Sequence, residues 1–204
     1  MLFCMSVAAQ TAPTEALPKS GRVDGAAYRN SYLGFNYFFP ENWVARGTPG
    51  KLAGTANGHL LLTLKRSSGE QLSSVILSAA ELNAYGGDLQ RYLDARYRLH
   101  EDAGEARDMT INGISVSRGK RSDQEPALMM LGDRAFYRVD TVWGGITRVA
   151  VATEQRGYAL VFELIVPTKS AAVTTQEFVD SLHGLNFIAP AKADLNAEDA
   201  TGAK

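Results

Sequence analysis

The clearest pattern in the chain is an alternation in which both phases are apolar. From Tyr158 to Val166, Tyr158, Leu160, Phe162, Leu164 and Val166 fall on one side of an extended chain, and Ala159, Val161 and Ile165 on the other. Glu163 is the single polar interruption. A strand dry on both sides is central in its sheet and covered on both faces. Two further strands precede it, Arg134 to Trp143 and Ile146 to Thr153, with turns at Gly144-Gly145 and at Gln155-Arg156-Gly157. Together the three predict an antiparallel meander.

The first half reads in the same way. Ser31 to Pro40 is aromatic and ends at a proline, which predicts a strand and then a turn. Trp43-Val44 starts a short strand; His59 to Lys65 and Leu72 to Ser78 form two more, joined through Ser67 to Glu70. Met109 to Ser117 carries Asn112-Gly113, a two-residue turn that tolerates positive φ, and predicts a tight hairpin. Helical spacing occurs twice. Leu89, Tyr92, Leu93, Tyr97 and His100 form one stripe, with Asp88 placed to cap it, Gly86-Gly87 before it and Gly104 after. Phe178, Leu182 and Leu185 form the other, with Thr174 and Glu177 spaced as a capping box and Gly184 at the end. Strands, helix, more strands, helix, with hairpins dominating, predict an α+β domain: an antiparallel β-sheet flanked by helices, an α/β/α sandwich.

The ends read differently. Residues 1–9 suit the back half of a signal peptide, with Val7 and Ala9 as the small residues before a cut. Residues 10–27 are rich in Pro, Ala, Gly and charge and predict a disordered linker; residues 188–204 predict a tail of the same kind. Residues 28–187 then form one domain of ordinary size. Lys plus Arg number 21 against 22 Asp plus Glu, a net charge of −1, which leaves no basic footprint for nucleic acid. No apolar run reaches the roughly 18–20 residues of a membrane-spanning helix. Cys4 is the single cysteine, so no internal disulfide forms.

Several residues together resemble the PsbP-like fold family. They are Tyr28, the run Leu33-Gly34-Phe35, Phe39-Pro40 and Trp43, the strand Gly157 to Phe162, and the closing Phe178, Leu182, Leu185 and Phe187. The family includes extrinsic photosystem proteins, exported bacterial proteins and a eukaryotic import factor that binds a small GTPase. The resemblance implies a compact sheet with helices and an accessory or binding role. Its matching positions are packing residues, so it carries over no catalytic and no partner-binding position.

Motifs of catalysis and phosphate binding are missing: there is no G-x-S-x-G, H-E-x-x-H or G-x-G-x-x-G. Gly47 to Lys51 imitates a phosphate loop but has Ala45 and Leu52 where glycine and Ser/Thr are required, and reads as a turn. His59, His100 and His183 sit in three elements without metal-pair spacing, so no metal or cofactor is expected. Arg138, Asp140, Arg148 and Glu163 lie in the meander, either as cross-strand charge pairs or as a polar pocket on one sheet face. Glu163 is the odd member, since a carboxylate in a central strand must be paired or shifted in pKa. Tyr37 and Trp43 read as core or, if exposed, as a partner surface. The expected function is a non-enzymatic, exported accessory factor of the bacterial envelope that binds a protein partner. The alternatives are a hydrolase whose site assembles only in the fold, and a small-molecule carrier. If the amino-terminal reading holds, the mature chain recovered from an envelope fraction starts at Gln10; mass spectrometry finding Met1 intact in a cytoplasmic fraction would remove export.

Overall fold

Burying both faces of one strand organises the molecule. The computed structural model describes residues 18, 21–47, 49–52, 57–66, 73–97, 109–111, 114–116, 126–143 and 145–188. The strands are β1 (Arg22–Asp24), β2 (Ala27–Asn30), β3 (Phe35–Phe38), β4 (Trp43–Arg46), β5 (Gly50–Lys51), β6 (Gly58–Arg66) and β7 (Ser74–Glu81). After helix α1 (Leu89–Tyr97) come β8 (Met109–Ile111), β9 (Ile114–Val116), β10 (Ala127–Leu131), β11 (Arg134–Trp143), β12 (Ile146–Gln155) and β13 (Tyr158–Pro167). Helix α2 (Ala171–Leu182) and β14 (Asn186–Phe187) close the described chain.

Eight strands make the large antiparallel sheet, in the order β10-β11-β12-β13-β7-β6-β4, with β5 also paired to β6. β13 lies inside it, hydrogen-bonded to β12 and β7, as its double apolar alternation requires. Among the described residues four strands, β1-β2-β3-β14, make a second sheet, and β8 pairs only with β9. On one face of β13, Leu160, Phe162, Leu164 and Val166 pack with Tyr28, Phe35 and Tyr37 of the second sheet and with Phe178 and Leu182 of α2. Phe162 presents its ring to Phe35 and Tyr37 in edge-on contacts, at 6.3 Å and 5.2 Å between centroids. On the other face, Ala159 and Val161 join Ala80, Ala150 and Ala152 beneath Leu89, Tyr92, Leu93 and Tyr97 of α1. Small side chains in the sheet leave room for the large side chains of the helix.

The α+β class is therefore present, but the two covers are unlike. A helix-flanked sandwich does not describe the first face, where the small sheet shares the cover with α2. That sheet also absorbs residues expected in the linker. β1 pairs in register with β2, Val23 opposite Tyr28, and its three side chains all face solvent. A strand that adds only backbone bonds leaves no apolar signal in the sequence. Ser31 to Gly34 is a turn between β2 and β3, held by Asn30 Oδ1 accepting from Leu33 N–H at 2.8 Å. Helix α2 begins at Ala171, so Thr174 is buried within it and is not its cap. Asp88 does cap α1, its Oδ1 accepting from Gln90 N–H at 2.8 Å and Arg91 N–H at 3.2 Å. The predicted Asn112-Gly113 and Ser67 to Glu70 turns, with His100 and Gly104, lie outside the described residues.

The two sheets are fastened where the β12–β13 turn meets the β2–β3 turn. Gln155 Nε2 donates to Leu33 O at 2.7 Å, and Arg156 Nη1 donates to the carbonyls of Ser31 and Tyr32. Gly34 lies under that guanidinium with φ +66°, and a Cβ there would stand 2.5 Å from Arg156 Nη2. Gly25, in the β1–β2 turn, has φ +59° and nothing within 4 Å of such a Cβ. Gly25→Ala is expected to cost about 1–2 kcal/mol from backbone conformation alone. Gly34→Ala carries the same cost and also displaces Arg156, whose carbonyl bonds add about 1–3 kcal/mol. Denaturant unfolding of both variants checks the difference; equal losses would show that the clamp contributes nothing.

Candidate functional site

The register of the meander decides the polar pocket. Arg148 faces Thr141 on β11 and Ile165 on β13, while Ala150 faces Glu163. Residues opposed across an antiparallel ladder share a face. Arg148 and Glu163 thus lie on the α1 side, with Ala150 and Val161. Arg138 is opposite Val151, and Asp140 opposite Val149, both of which belong to the core on the other side. The four charged residues therefore form two pairs separated by the sheet, and no common pocket arises.

The two pairs differ in kind. Arg138 and Asp140 lie two residues apart on one strand. Nε and Nη2 donate to Oδ1 and Oδ2 at 2.8 and 2.7 Å, and both side chains are partly exposed. This is a surface clasp of modest energetic value. Glu163 is 3% exposed and fully enclosed. Arg148 Nη2 donates to its Oε2 at 2.7 Å, and Nε donates to Oε1. Tyr97 Oη, reaching down from α1, donates to Oε2 at 2.9 Å. The Arg148 guanidinium lies 4.8 Å from the Tyr97 ring centroid, so one tyrosine serves both ions.

The electrostatics follow. Burial alone would push the Glu163 carboxyl up, but the charge and hydrogen bonds of Arg148, with Arg96 and Tyr97 helping, hold it below its usual value. Burial and the adjacent Glu163 charge push the Tyr97 hydroxyl far up. Tyr92 is pushed to about 12, mainly by burial, and its hydroxyl is buried without a hydrogen-bond partner. A carboxylate locked ionised by a cation is a poor general base, and a tyrosine with a raised pKa holds its proton. The set works as a fastener between α1 and the sheet.

The aromatic candidates are interior. Tyr37 is 0% exposed and Trp43 5%, so neither is a partner surface. Tyr37 Oη meets Ser181 Oγ of α2 at 3.0 Å, and Trp43 lies under Arg66, 5.6 Å from its guanidinium. Aromatic identity alone could not say which side of the sheet these rings occupy. His59 lies on β6 with its ring 6.4 Å from that of Tyr158, and His183 follows α2. The two described histidines stand in different elements. Among the described residues no group of three His, Cys, Asp or Glu side chains is arranged to hold a metal ion. No helix among them is long and apolar enough to cross a membrane.

Two surface features escaped the sequence. β10, Ala127 to Leu131, is an edge strand among the described residues and has no charged residue; on it Leu128 is 62% exposed and Met130 55%. They oppose Tyr137 and Ala135 and so project on the same face. An apolar pentapeptide without alternation gives no periodic signal. The second is a groove of about 610 Å³ at the open corner between the sheets, lined by the β10–β11 turn, the end of α2 and β14. Its lining includes Asp133, Arg134, His183 and Phe187, with Phe136 and Leu182 buried beneath.

No family model matches the chain, and no curated protein sequence matches it. Among solved structures it is similar to the solution structure of cyanobacterial PsbP, CyanoP, from Synechocystis. That similarity has a TM-score of 0.47 at 11% identity, over 87% of this chain and 98% of that one. PsbP is the family whose residue pattern the sequence resembles. A protein from Bacteroides thetaiotaomicron is similar with a TM-score of 0.43 at 14% identity, over 76% of this chain and 46% of that one.

Glu163→Gln keeps the shape of the side chain and leaves Arg148 buried without its counter-charge; the expected loss is about 3–5 kcal/mol of stability. Because the folded pKa lies below the ordinary value of 4.5, the pair's contribution is complete above that value. It is lost as pH falls through the lower, folded pKa. Denaturant unfolding between pH 7 and acid checks both, and the variant should lose that part of the acid dependence. An unchanged acid slope would remove Glu163 as its source.

Proposed function

We propose that this protein is a non-enzymatic binding factor, exported to the bacterial cell envelope, which takes an extended segment of a partner protein along β10. The observation that carries this reading is the character of that edge. Edge strands are commonly blunted by lysine, proline or a bulge, since their free N–H and C=O groups template further pairing. Between Ala127 and Leu131 there is no such residue; Pro126 guards only the entry. Leu128 and Met130 add an exposed apolar strip beside that backbone.

An incoming strand gains ladder bonds worth about 0.5–1.5 kcal/mol each and buries the strip. Specificity then comes from side chains two apart in the partner, which fall on the face of Leu128 and Met130. The matching segment is extended, apolar at alternate positions and free of proline. Export rests on the amino-terminal pattern alone.

A photo-crosslinking residue placed at 128 in the full chain is expected to capture one partner of reproducible mass in envelope extract. The same probe at Val173, which is 68% exposed on α2, is the control. Capture at 128 should be lost in a Met130→Lys background. Equal capture at both sites, or capture indifferent to that lysine, would overturn the reading.

A further inference from the structure

We propose that β10 also pairs with the β10 of a second copy of this chain, antiparallel and about a two-fold axis through Met129, so that the edge closes on itself when no partner strand occupies it. The inference rests on the reading of β10 as a partner-binding edge and names what covers that edge otherwise. The other edge strands are marked against pairing or are very short. β1 carries Arg22 and Asp24, β4 carries Arg46, β5 carries Lys51, and β14 has two residues. Ala127 to Leu131 carries no charge, so two copies brought together there meet no repulsion between their paired residues.

The backbone of β10 is in phase for this pairing. Gly132 and Asp133 are the whole turn between β10 and β11, so the closing pair Leu131–Arg134 is a hydrogen-bonded one. Hydrogen-bonded and non-hydrogen-bonded pairs alternate along an antiparallel ladder. Met129–Phe136 and Ala127–Arg138 are therefore of the first kind, and Leu128–Tyr137 and Met130–Ala135 of the second. The N–H and C=O groups of Leu128 and Met130 thus point away from β11, to the side where no strand stands among the described residues. With the axis at Met129, Leu128 lies opposite the second copy's Met130, and Met130 opposite its Leu128. Both pairs can then exchange backbone bonds across the axis.

The side chains agree with that register. Opposed residues share a face, so Leu128 and Met130 of both copies, exposed in the single chain, come together as one apolar cluster on the side of Tyr137 and α1. On the reverse face Met129 meets its own counterpart, and Ala127 meets Leu131. Every opposed pair is apolar on apolar. A two-fold contact demands this self-complementarity, because one patch serves both copies. Pro126 and the Gly132-Asp133 turn stop the ladder at its ends, so the contact is five residues long. An interface this short gives a weak, exchanging dimer, which a better-matched strand displaces.

Sedimentation velocity of the purified full chain from about 5 µM to about 1 mM is expected to show a reversible monomer–dimer equilibrium. Leu128→Lys alone and Met130→Glu alone should each weaken the dimer about tenfold, since each sets like charges diagonally across the axis and removes apolar contact. An equimolar mixture of the two variants should regain the lost affinity, because the new lysine and the new glutamate then stand opposite each other. A photo-crosslinking residue at 128 in the purified chain should give a product of twice the chain mass, its link mapped to β10 of the second copy; this readout needs neither charged variant. A monomer throughout the range, no recovery on mixing folded variants, or a link mapped outside β10 would each overturn the proposal. Capture of a partner from envelope extract by a chain that stays monomeric when pure would overturn self-pairing alone. Doubling of the pure chain with no capture from extract would support self-pairing and overturn the strand-binding reading alone.

Discussion

The structure depends on keeping β13 dry on both sides. One face carries Leu160, Phe162, Leu164 and Val166, the other Ala159, Val161 and Ile165, and nearly all are fully buried. Each of the larger side chains contributes about 1.5–3 kcal/mol, and Ala159 less, only while covered, so two separate covers must form. The aromatic second sheet and α2 supply one; α1 supplies the other. The remaining architecture brings these covers into place. The meander carries β12 and β11 outward, and the 3-10 turn after Pro167 leads the chain back over the first face as α2.

The same demand explains the charged interior. Glu163 falls on the α1 side of a strand that must be dry, and a lone carboxylate there would be costly. Arg148 on the neighbouring strand and Tyr97 on the covering helix satisfy all of its oxygens. A buried ion pair adds little net stability over an apolar pair, but it allows one arrangement of helix on sheet. Tyr97 can donate to Glu163 only when α1 lies in its observed register, and this gives an otherwise smooth alanine floor a fixed point.

The sequence revealed elements whose side chains carry a period and concealed those whose role lies in the backbone. β13 was legible from its double alternation, and α1 from its stripe with Asp88 before it. β1 was not, because it contributes ladder bonds and three exposed side chains. α2 was found but shifted. Thr174 and Glu177 have capping spacing, yet the preceding Ala171, Ala172 and Val173 are helical and give no start signal. For the charged candidates the residue types were informative and the faces were not. Which side of a sheet a residue occupies is set by register, and register by turns that place the ladder to within one residue. Arg138 and Arg148 both read as strand cations; only the pairing of Arg138 with Val151 and of Arg148 with Ile165 puts them on opposite sides. Arg134, at the groove, is a strand-end residue whose neighbours Phe187 and Leu182 come from some fifty residues further on.

The alanine floor decides how α1 is held. α1 spans nine residues, shorter than a helix that persists alone, and it rests on Ala80, Ala150, Ala152 and Ala159, which offer little contact area apiece. The opposite cover interlocks with the sheet through large rings. On the α1 side the Tyr97–Glu163–Arg148 set adds a buried ionic tie that the other face lacks among the described residues. The two sides of β13 are thus closed by different means, small side chains under a helix pinned through the Tyr97–Glu163 contact on the α1 side and interlocked rings on the other.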